Sequence, residues 1–409
     1  MNALSLHRAA WVVPVSGPVI KDGAVAADRQ HIIAVGSFTA LRKKHPEAAI
    51  LDHGRSALTP ALINAHIHLE LSHLPIASHH KEIKGFTHWI ERLLSLREEM
   101  GSLTGAAEDA ARAVLRRQHA LGVIALGDIG NTELGAKLGS EFPGVLLHFT
   151  ECLGRTAKTR RTLLARAAAA PRHQLFTAHA PYSTHAELIQ RLKRRAAELN
   201  QPFPIHVAEP SSENEMLCRG TGELHSFLKG RGFIDDSYIP PAGIDNSGSV
   251  KYLHDLGVLD NRTICVHCIH VTLAEIDILA ATGTKICLCP GSNRYLRIGK
   301  APVSLFLARG LLPALGTDSL ASNPELSLWR EMNLLSEDHP AVEPADIFAM
   351  ATLGGATTLG IDDVYGSLAP GKTARFLAIP LAENVTSEAM LHNHLVKSNS
   401  IQPIWVNEQ

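Results

Sequence analysis

The 409-residue sequence predicts an α/β protein, a (β/α)8 TIM-type barrel with a small β-sandwich domain built from both termini. Eight short apolar runs alternate with longer segments of helical spacing between residues 62 and 316. Such alternation is typical of parallel βα units, and about 250 residues is the usual size of a (β/α)8 barrel. No G-x-G-x-x-G sequence, which would favour a doubly wound sheet, follows the first run.

The barrel strands are predicted in order along the chain. The apolar runs are Leu62–Leu71, Gly122–Gly127, Val145–Cys152, Gln174–Ala180, Pro204–Ala208, Thr263–Cys268, Thr284–Cys289 and Leu312–Gly316. Helical spacing covers, among others, the segments Thr184–Asn200, Glu213–Lys229, Thr272–Ala281 and Pro302–Arg309. Thr272 with Glu275 three residues later has the pattern of a capping box. Both ends of the chain instead carry short apolar runs broken by Gly, Asp and Pro. We therefore expect residues 1–57 plus 365–409 to form the small β domain, either as a β-sandwich or as one sheet built from both termini, and 58–364 to form the barrel.

Composition narrows the class of function. Hydrophobic residues make up 45% of the chain, which permits a sizeable core, and the net charge is -1. A near-neutral balance argues against nucleic acid or an anionic membrane surface as the main partner. No apolar run approaches the ~18–20 residues of a membrane span, and the N-terminus lacks the pattern of a signal peptide. Six Cys are too few for a disulfide scaffold of this length. We expect a cytoplasmic protein, with homo-oligomer formation left open.

Four residues at predicted strand ends suggest a metal site. His66 and His68 lie two apart at the end of the first strand, so both side chains point to the same side. His206 ends the fifth strand, and Asp318 follows the eighth. In a closed barrel these ends face one mouth, where three imidazoles and a carboxylate suit Zn²⁺ or Fe²⁺. No Lys lies between Gln174 and Ser183 to bridge two metals, so we expect one divalent ion per chain.

Other polar residues sit at the same level, each with a structural alternative. Glu209 follows His206 by three residues and could face the metal or cap the next helix. His267 and His179 end the sixth and fourth strands and could be functional or hydrogen-bonded core residues. Ser292 and Asn293 lie in a loop that could contact a substrate or form a plain turn, and Trp89 could belong to a lid or to the core.

Taken together, the motifs resemble the amidohydrolase superfamily, in the branch with cytosine and guanine deaminases, triazine hydrolases, S-adenosylhomocysteine deaminases and aminodeoxyfutalosine deaminases. They are TPALINAHIHLELS from Thr59, HAPYS from His179, HVAE from His206, VHCIH from Val266, CPGSN from Cys289, LGTDSLASN from Leu315 and GSLAPGKTARF from Gly366. The HLELS continuation and the segment FTHWIERLLSLRE from Phe86 look most like aminodeoxyfutalosine deaminases. Gly291 departs from the family pattern, which has a bulkier residue there, and we expect it to lie near the substrate pocket.

The resemblance implies roles for individual residues. It implies that His66, His68, His206 and Asp318 bind the metal, that Asp318 takes a proton from the attacking water, that Glu209 protonates the substrate ring and that His267 stabilises the oxyanion. Trp89, His179 and, from the adenosylhomocysteine group, Glu98 would contact substrate.

The resemblance also implies an activity, namely hydrolytic deamination of an aminopurine nucleoside. Aminodeoxyfutalosine, converted to futalosine and ammonia in menaquinone biosynthesis, is the leading candidate. Adenosine-type substrates such as S-adenosylhomocysteine and 5′-methylthioadenosine stay open, as do guanine, cytosine and triazines. A non-enzymatic metal-binding protein is disfavoured because no ligand position is missing.

Overall fold

The computed structural model describes residues 4–74, 85–101, 103–234, 248–398 and 401–407. The strands in this part of the chain are β1 Ser5–Val12, β2 Ile20–Ala27, β3 Ile32–Ser37, β4 Ala49–Asp52, β5 Ser56–Pro60, β6 Leu62–Ile67, β7 Val123–Gly130, β8 Val145–Cys152, β9 Leu175–Ala178, β10 Phe203–Val207, β11 Thr263–His267, β12 Lys285–Leu288, β13 Ala314–Leu315, β14 Phe376–Pro380 and β15 Ile404–Val406.

The α-helices of the same residues are α1 Phe38–Lys44, α2 Phe86–Met100, α3 Gly105–Ala120, α4 Leu134–Leu138, α5 Ala157–Ala169, α6 Ala186–Glu198, α7 Ser211–Arg219, α8 Gly222–Gly230, α9 Ser249–Asp255, α10 Leu273–Thr282, α11 Pro290–Leu296, α12 Val303–Leu307, α13 Leu328–Asp338, α14 Pro344–Ala349, α15 Gly355–Leu359 and α16 Glu388–Lys397. Short 3₁₀ turns occur at Leu69–Leu71 and Gly139–Glu141, and a π-helical turn occurs at Met350–Gly354. None of these helices is both long and apolar enough to cross a bilayer.

Eight parallel strands form the barrel, as the sequence predicts. They pair as β6-β7-β8-β9 and as β10-β11-β12-β13. Two sets of backbone hydrogen bonds connect these groups. The His206 N–H donates to the His179 carbonyl at 2.9 Å, and the Thr317 and Asp318 N–H groups donate to the His66 carbonyl at 2.9 and 3.1 Å. Both seams therefore pass through predicted site residues. The predicted fold class is confirmed.

The barrel strands are buried on both sides, since side chains fill the interior and helices cover the outside. β7, β10 and β11 are buried along their whole length. This is typical of parallel strands between two apolar layers and explains their unbroken hydrophobic runs.

Strands from both ends of the chain share a separate sheet in the order β15-β14-β5-β1-β2-β3, with β4 also paired to β1. The expected single sheet built from both termini is present, and it is not divided into the two packed sheets of a sandwich, because β5 pairs with both β1 and β14. Some side chains of this sheet pack on Leu41 of α1. Others, including Trp11 and Ile379, pack against residues of the barrel core. The expected boundary after residue 57 falls inside β5, and the division into two domains stays a prediction.

Of two helix features predicted from local sequence patterns, the structure confirms one and corrects the other. The predicted capping box is present, since Thr272 Oγ1 accepts from the Glu275 N–H and Glu275 Oε2 accepts from the Thr272 N–H at 2.9 Å. The continuous helix expected over Glu213–Lys229 is wrong. It divides into α7 and α8 because Gly220 adopts φ 64°, a left-handed conformation that ends a helix.

Candidate active site

Two barrel strands, β6 and β10, and the segment after a third, β13, bring the predicted ligands together. His66 ends up 4.8 Å from His68 and 5.0 Å from His206, measured between ring centroids. Asp318 Oδ1 lies 3.5 Å from His68 Nε2 and 3.8 Å from His66 Nε2. All four residues are buried. The sequence-predicted ligand set therefore converges at one point.

The backbone at these strand ends is unusual. Ala208, His267 and Asp318 have φ values of 53°, 73° and 58°, a left-handed region that non-glycine residues seldom occupy. Such conformations cluster at functional sites, where surrounding contacts hold them in place. Asn64 supplies one such contact, because its side chain donates to Thr317 Oγ1 at 2.8 Å and accepts from the Thr317 N–H at 3.1 Å. The turn that carries Asp318 is thereby tied to the strand that carries His66.

The donor set fits a divalent metal ion. Neither ring nitrogen of His66 has a hydrogen-bond partner among the described residues, although the residue is fully buried. Buried polar atoms normally find partners, so this imidazole needs a ligand. Candidate ligand atoms of His66, His68 and Asp318 lie within 4.8 Å of one another, as do those of His66, His206 and His267. Burial, aided by neighbouring His residues, holds the pKa of His66 and of His206 well below the usual value. Both are therefore neutral, which is the form that binds metals.

Hydrogen bonds to the ligand residues set their orientation. His206 Nδ1 donates to the His179 carbonyl at 2.9 Å, which leaves Nε2 free to bind a metal. Asp318 Oδ2 accepts from Ser292 Oγ at 2.6 Å and from Ser322 Oγ at 2.9 Å. Burial raises the pKa of Asp318, but the charges of His68, His66 and His267 and the Ser292 bond outweigh it and leave the pKa at about 2. Asp318 is thus an ionised ligand.

Ser292 and Asn293, expected as substrate contacts, hold other site residues instead. Asn293 Oδ1 lies 3.0 Å from His267 Nδ1, and Ser292 contacts Asp318 as described. Both are buried on α11 and neither lines the cavity. The reason is that residues 290–296 form a helix behind the site rather than a loop above it.

Glu209 lies next to His267 above the ligand cluster. Glu209 Oε1 is 3.6 Å from His267 Nε2. Burial, with the nearby charge of Asp318, raises the pKa of Glu209 well above its usual value, which favours the protonated carboxyl. The alternative role as a helix cap is wrong, because Pro210 occupies the N-cap of α7 and no side chain caps it. The position and raised pKa of Glu209 are those expected of a general acid.

A cavity of about 400 Å³ opens above these residues. Its floor includes His68, His206, Asp318, Glu209 and His267. The volume lies within the range of small-molecule sites. His179 and Trp89 line it as expected. Burial lowers the pKa of His179 to about 3, and its Nδ1 contacts Ser183 Oγ at 2.6 Å, so a neutral Nε2 is left for a ligand.

One side of the cavity is apolar and belongs largely to α2 and α8. We call this the apolar wall, and it consists of Trp89, Ile90, Leu93, Leu153, Phe227, Phe233 and Ile234. Trp89 Nε1 donates to the Ala321 carbonyl at 3.0 Å, which anchors α2 to the segment after β13. The lid interpretation of Trp89 therefore agrees with its position at the cavity.

A polar side of the cavity escaped the sequence analysis. We call it the polar row, and it consists of Glu70, Arg97, Asn131 and Glu151. Burial raises the pKa of Glu151 to about 7, despite the opposing charge of His68. Asn131 directly follows β7 and Glu151 lies near the end of β8. The strand-end rule that found His206 could therefore have found both.

Two further expectations are corrected by the structure. Glu98, expected to contact substrate, lies exposed on α2 outside the cavity, while the preceding Arg97 lines it. Neighbouring helix residues point about 100° apart, so both cannot face the same site. Gly291 does not shape the cavity either. A Cβ there would lie 2.4 Å from Glu331 Oε1, so the glycine makes room for this buried carboxyl, which accepts the Gly291 N–H at 2.7 Å.

The amidohydrolase family profile matches residues 57–406. The chain belongs to the amidohydrolase family. It is 31% identical over 408 residues to a 5-methylthioadenosine/S-adenosylhomocysteine deaminase of Nitratidesulfovibrio vulgaris, which covers 92% of this chain and 84% of the relative. It is 28% identical to an aminodeoxyfutalosine deaminase of Nitratiruptor, with 92% of each chain covered. The crystal structure of Helicobacter pylori aminofutalosine deaminase in complex with methylthio-coformycin superposes with a TM-score of 0.82, at 22% identity and 97% coverage of both chains.

Family membership, together with deaminase relatives, makes this amidohydrolase a hydrolase that acts on C–N bonds. The family is metal-dependent, and the His/Asp cluster at the barrel mouth supplies suitable ligands. The resemblance inferred from the sequence motifs is confirmed.

Proposed function

We propose that this amidohydrolase deaminates an aminopurine nucleoside, with aminodeoxyfutalosine, converted to futalosine and ammonia, as the leading substrate. The pairing of Glu209, a carboxyl whose pKa is raised, with His267, 3.6 Å apart beside the ligand cluster, carries this proposal. Deamination needs a proton donor for a ring nitrogen next to a group that stabilises the new oxyanion. A cavity of about 400 Å³ with one apolar wall suits a nucleoside with an apolar or aromatic extension.

His66, His68, His206 and Asp318 would hold one divalent ion per chain, and Zn²⁺ and Fe²⁺ both suit three imidazoles and a carboxylate. When bound, such an ion lowers the pKa of water and supplies a nucleophile at neutral pH. Asp318 takes the proton of the attacking water on Oδ1, because Ser292 and Ser322 both donate to its Oδ2 and hold the carboxylate in place.

Glu209 supplies the second proton transfer. Its carboxyl protonates the ring nitrogen beside the amine-bearing carbon, which makes that carbon electrophilic. The oxygen of water then bonds to this carbon, and His267 stabilises the charge that develops on it. Asp318 passes its proton to the amine, the proton of the added hydroxyl returns to Glu209, and the C–N bond breaks, so that ammonia leaves with the keto base as product.

A 5′-substituted adenosine is the second candidate, favoured by the 31% identity to the 5-methylthioadenosine/S-adenosylhomocysteine deaminase. The same residues would act on it, and only the apolar wall would meet a different group. We propose a cytoplasmic location for either activity.

A substrate panel tests the proposal. The zinc-loaded protein is assayed for ammonia release from aminodeoxyfutalosine, 5′-methylthioadenosine, S-adenosylhomocysteine, adenosine, adenine, guanine, cytosine and a chlorotriazine. Remote binding energy orients the reacting carbon, so truncated substrates should lose kcat as well as affinity. We expect kcat/KM for a substituted nucleoside to exceed that for any free base by at least ~100-fold, or about 2.7 kcal/mol. A free base or triazine as the best substrate would contradict the nucleoside assignment.

A further inference from the structure

The polar row is a hydrogen-bonded chain that ends beside the metal ligands. Arg97 Nη2 lies 3.1 Å from Glu70 Oε1, and Arg97 Nη1 donates to Asn131 Oδ1 at 3.0 Å. Asn131 Nδ2 then donates to Glu151 Oε2 at 2.9 Å. Glu151 Oε1 lies 3.7 Å from His206 Nδ1. Four side chains from α2 and from the ends of three neighbouring strands thus form one connected wall.

The chemistry of the row fixes its orientation. A guanidinium can only donate hydrogen bonds, so the carbonyl oxygen of Asn131 must face Arg97. The amide nitrogen of Asn131 must then face Glu151. Glu151 is consequently held with Oε2 toward Asn131 and Oε1 toward the His206 side of the cavity.

The two carboxylates of the row differ in one respect. Both oxygens of Glu70 are engaged, since Oε1 pairs with Arg97 and Oε2 accepts the Thr132 N–H at 2.9 Å. Glu151 Oε1 has no hydrogen-bond partner among the described residues, although Glu151 is only 7% exposed and lines the cavity. The nearest ring proton, on His206 Nδ1, already goes to the His179 carbonyl. A buried acceptor without a donor is costly, so this oxygen needs a donor from the ligand.

The donors of a nucleoside are few. An adenine base offers N–H groups only at its exocyclic amine, and the proposed reaction places that amine on the reacting carbon above the ligand cluster. The other donors of an adenosine-type molecule are its sugar hydroxyls. Glu98, the carboxylate that the sequence suggested for substrate contact, lies exposed outside the cavity.

We propose that Glu151 accepts a hydrogen bond from a sugar hydroxyl of the substrate, and that Asn131 and Arg97 position it to do so. This inference rests on the nucleoside substrate proposed above. Glu151 is then a specificity residue, which selects ribonucleosides over analogues that lack a hydroxyl donor. Sites built to bind a substrate hydroxyl reject such analogues strongly, because the buried polar group is left unpaired.

The test compares a 5′-substituted adenosine with its 2′-deoxy, 2′-fluoro, 3′-deoxy and 3′-fluoro analogues. Fluorine replaces the hydroxyl in size but cannot donate. In the wild type, we expect kcat/KM to fall at least ~100-fold for both analogues at one of the two positions. In Glu151→Gln the Asn131 amide holds the Gln carbonyl, so the Gln NH₂ group faces the cavity. This donor tolerates fluorine, and the hydroxyl-to-fluorine ratio should drop at least tenfold.

Two controls isolate Glu151. Glu99→Gln, exposed on α2, should keep the wild-type ratio, whereas a collapse of the ratio in Glu98→Gln but not in Glu151→Gln would overturn the assignment. Dissociation constants of the same nucleosides for the Glu209→Gln variant, which should bind without turnover, give a second readout with the same expected preference.

The wild-type analogue series needs no folded variant and separates the two proposals. Turnover of free bases or triazines without any nucleoside contradicts the proposed function. Equal kcat/KM for the ribonucleoside and all four analogues leaves the proposed function standing and shows that the Glu151 assignment is wrong.

Discussion

The floor and the walls of the cavity are built in different ways. The floor and the ligand cluster beneath it take His66, His206 and His267 from barrel strands that belong to hydrogen-bonded sheets, and these residues are buried. The apolar wall comes from α2, α8 and the segments that follow β8 and α8, and its residues Leu153 and Phe233 are 40% and 45% exposed. This difference predicts that reaction type depends on the floor and the choice of 5′ substituent on the apolar wall, so that each can change without the other.

The largest effect is expected from the floor. His66→Ala or His206→Ala should remove both the bound ion and deamination of every substrate, because each deletes one of the four ligands at the centre of the cluster. Metal content by mass spectrometry and ammonia release measure the two losses. His173 is an exposed histidine just before β9, and the His173→Ala variant should keep both the bound ion and the activity. Two tightly held ions per wild-type chain would contradict the single-ion site.

Glu209→Gln should separate ion binding from chemistry. The amide is nearly isosteric but cannot transfer a proton, and general acid catalysis contributes about 10²–10⁴-fold to rates. We expect full metal content with kcat lowered by about that factor. A variant with kcat within about threefold of the wild type would remove Glu209 from the mechanism.

The apolar wall should affect substrates unequally. Trp89→Ala removes a large ring from the wall and the bond to Ala321, so we expect kcat/KM for a 5′-substituted nucleoside to fall about tenfold or more. Free bases, which are too small to use the wall, should change little. Leu273→Ala, an exposed residue of α10, is the matched control. An equal loss for all substrates would mean that the floor and the wall do not act separately.

The smallest effect concerns pH and a residue behind the floor. Burial raises the pKa of Glu331 to about 8, although hydrogen bonds from Gly291 and Asn323 oppose the shift. Because the folded pKa exceeds the unfolded one, the contribution of Glu331 to stability is full below the unfolded pKa of about 4.5 and is lost as the pH rises through the folded pKa of about 8.

Glu331→Gln has no such titration. The Tm advantage of the wild type over this variant should therefore shrink by about 2–4 °C between pH 5.5 and pH 9. Glu325→Gln, exposed in the loop before α13, should follow the wild type across the same range. If the Tm difference between the wild type and Glu331→Gln stays constant with pH, the pKa of Glu331 is not raised on folding.

The floor could be predicted because its signals are local. An H-x-H pair in a strand, a His at another strand end and an Asp after the last strand need only the strand boundaries to be combined, and all eight predicted runs coincide with observed strands. The left-handed φ of Asp318 turns its carboxylate toward His66, a detail that no sequence pattern showed.

The walls could not be predicted to the same extent, because they depend on how a helix docks. Whether Arg97 or Glu98 faces the cavity is decided by the packing of α2, including the contact of Trp89 with Ala321, which is 232 positions away. The expectation that Ser292 and Asn293 contact substrate was wrong for a related reason, because α11, in which they lie, packs behind the predicted ligands. Glu151 is different. The sequence placed it near the end of a predicted strand, but it was not selected as a site residue.

The seam between β6 and β13 has a consequence for how the protein matures. Asn64 and Thr317, which bond across it, are separated by 253 positions, and the adjacent His66 carbonyl receives the Asp318 N–H. Loop closure over such a distance must precede these contacts and slows folding. During synthesis, the early histidine pair must therefore wait for the eighth strand before its carboxylate partner arrives. Closure of the barrel and assembly of the ligand cluster are therefore one late event. A nascent chain that stops before residue 318 has only part of the metal site.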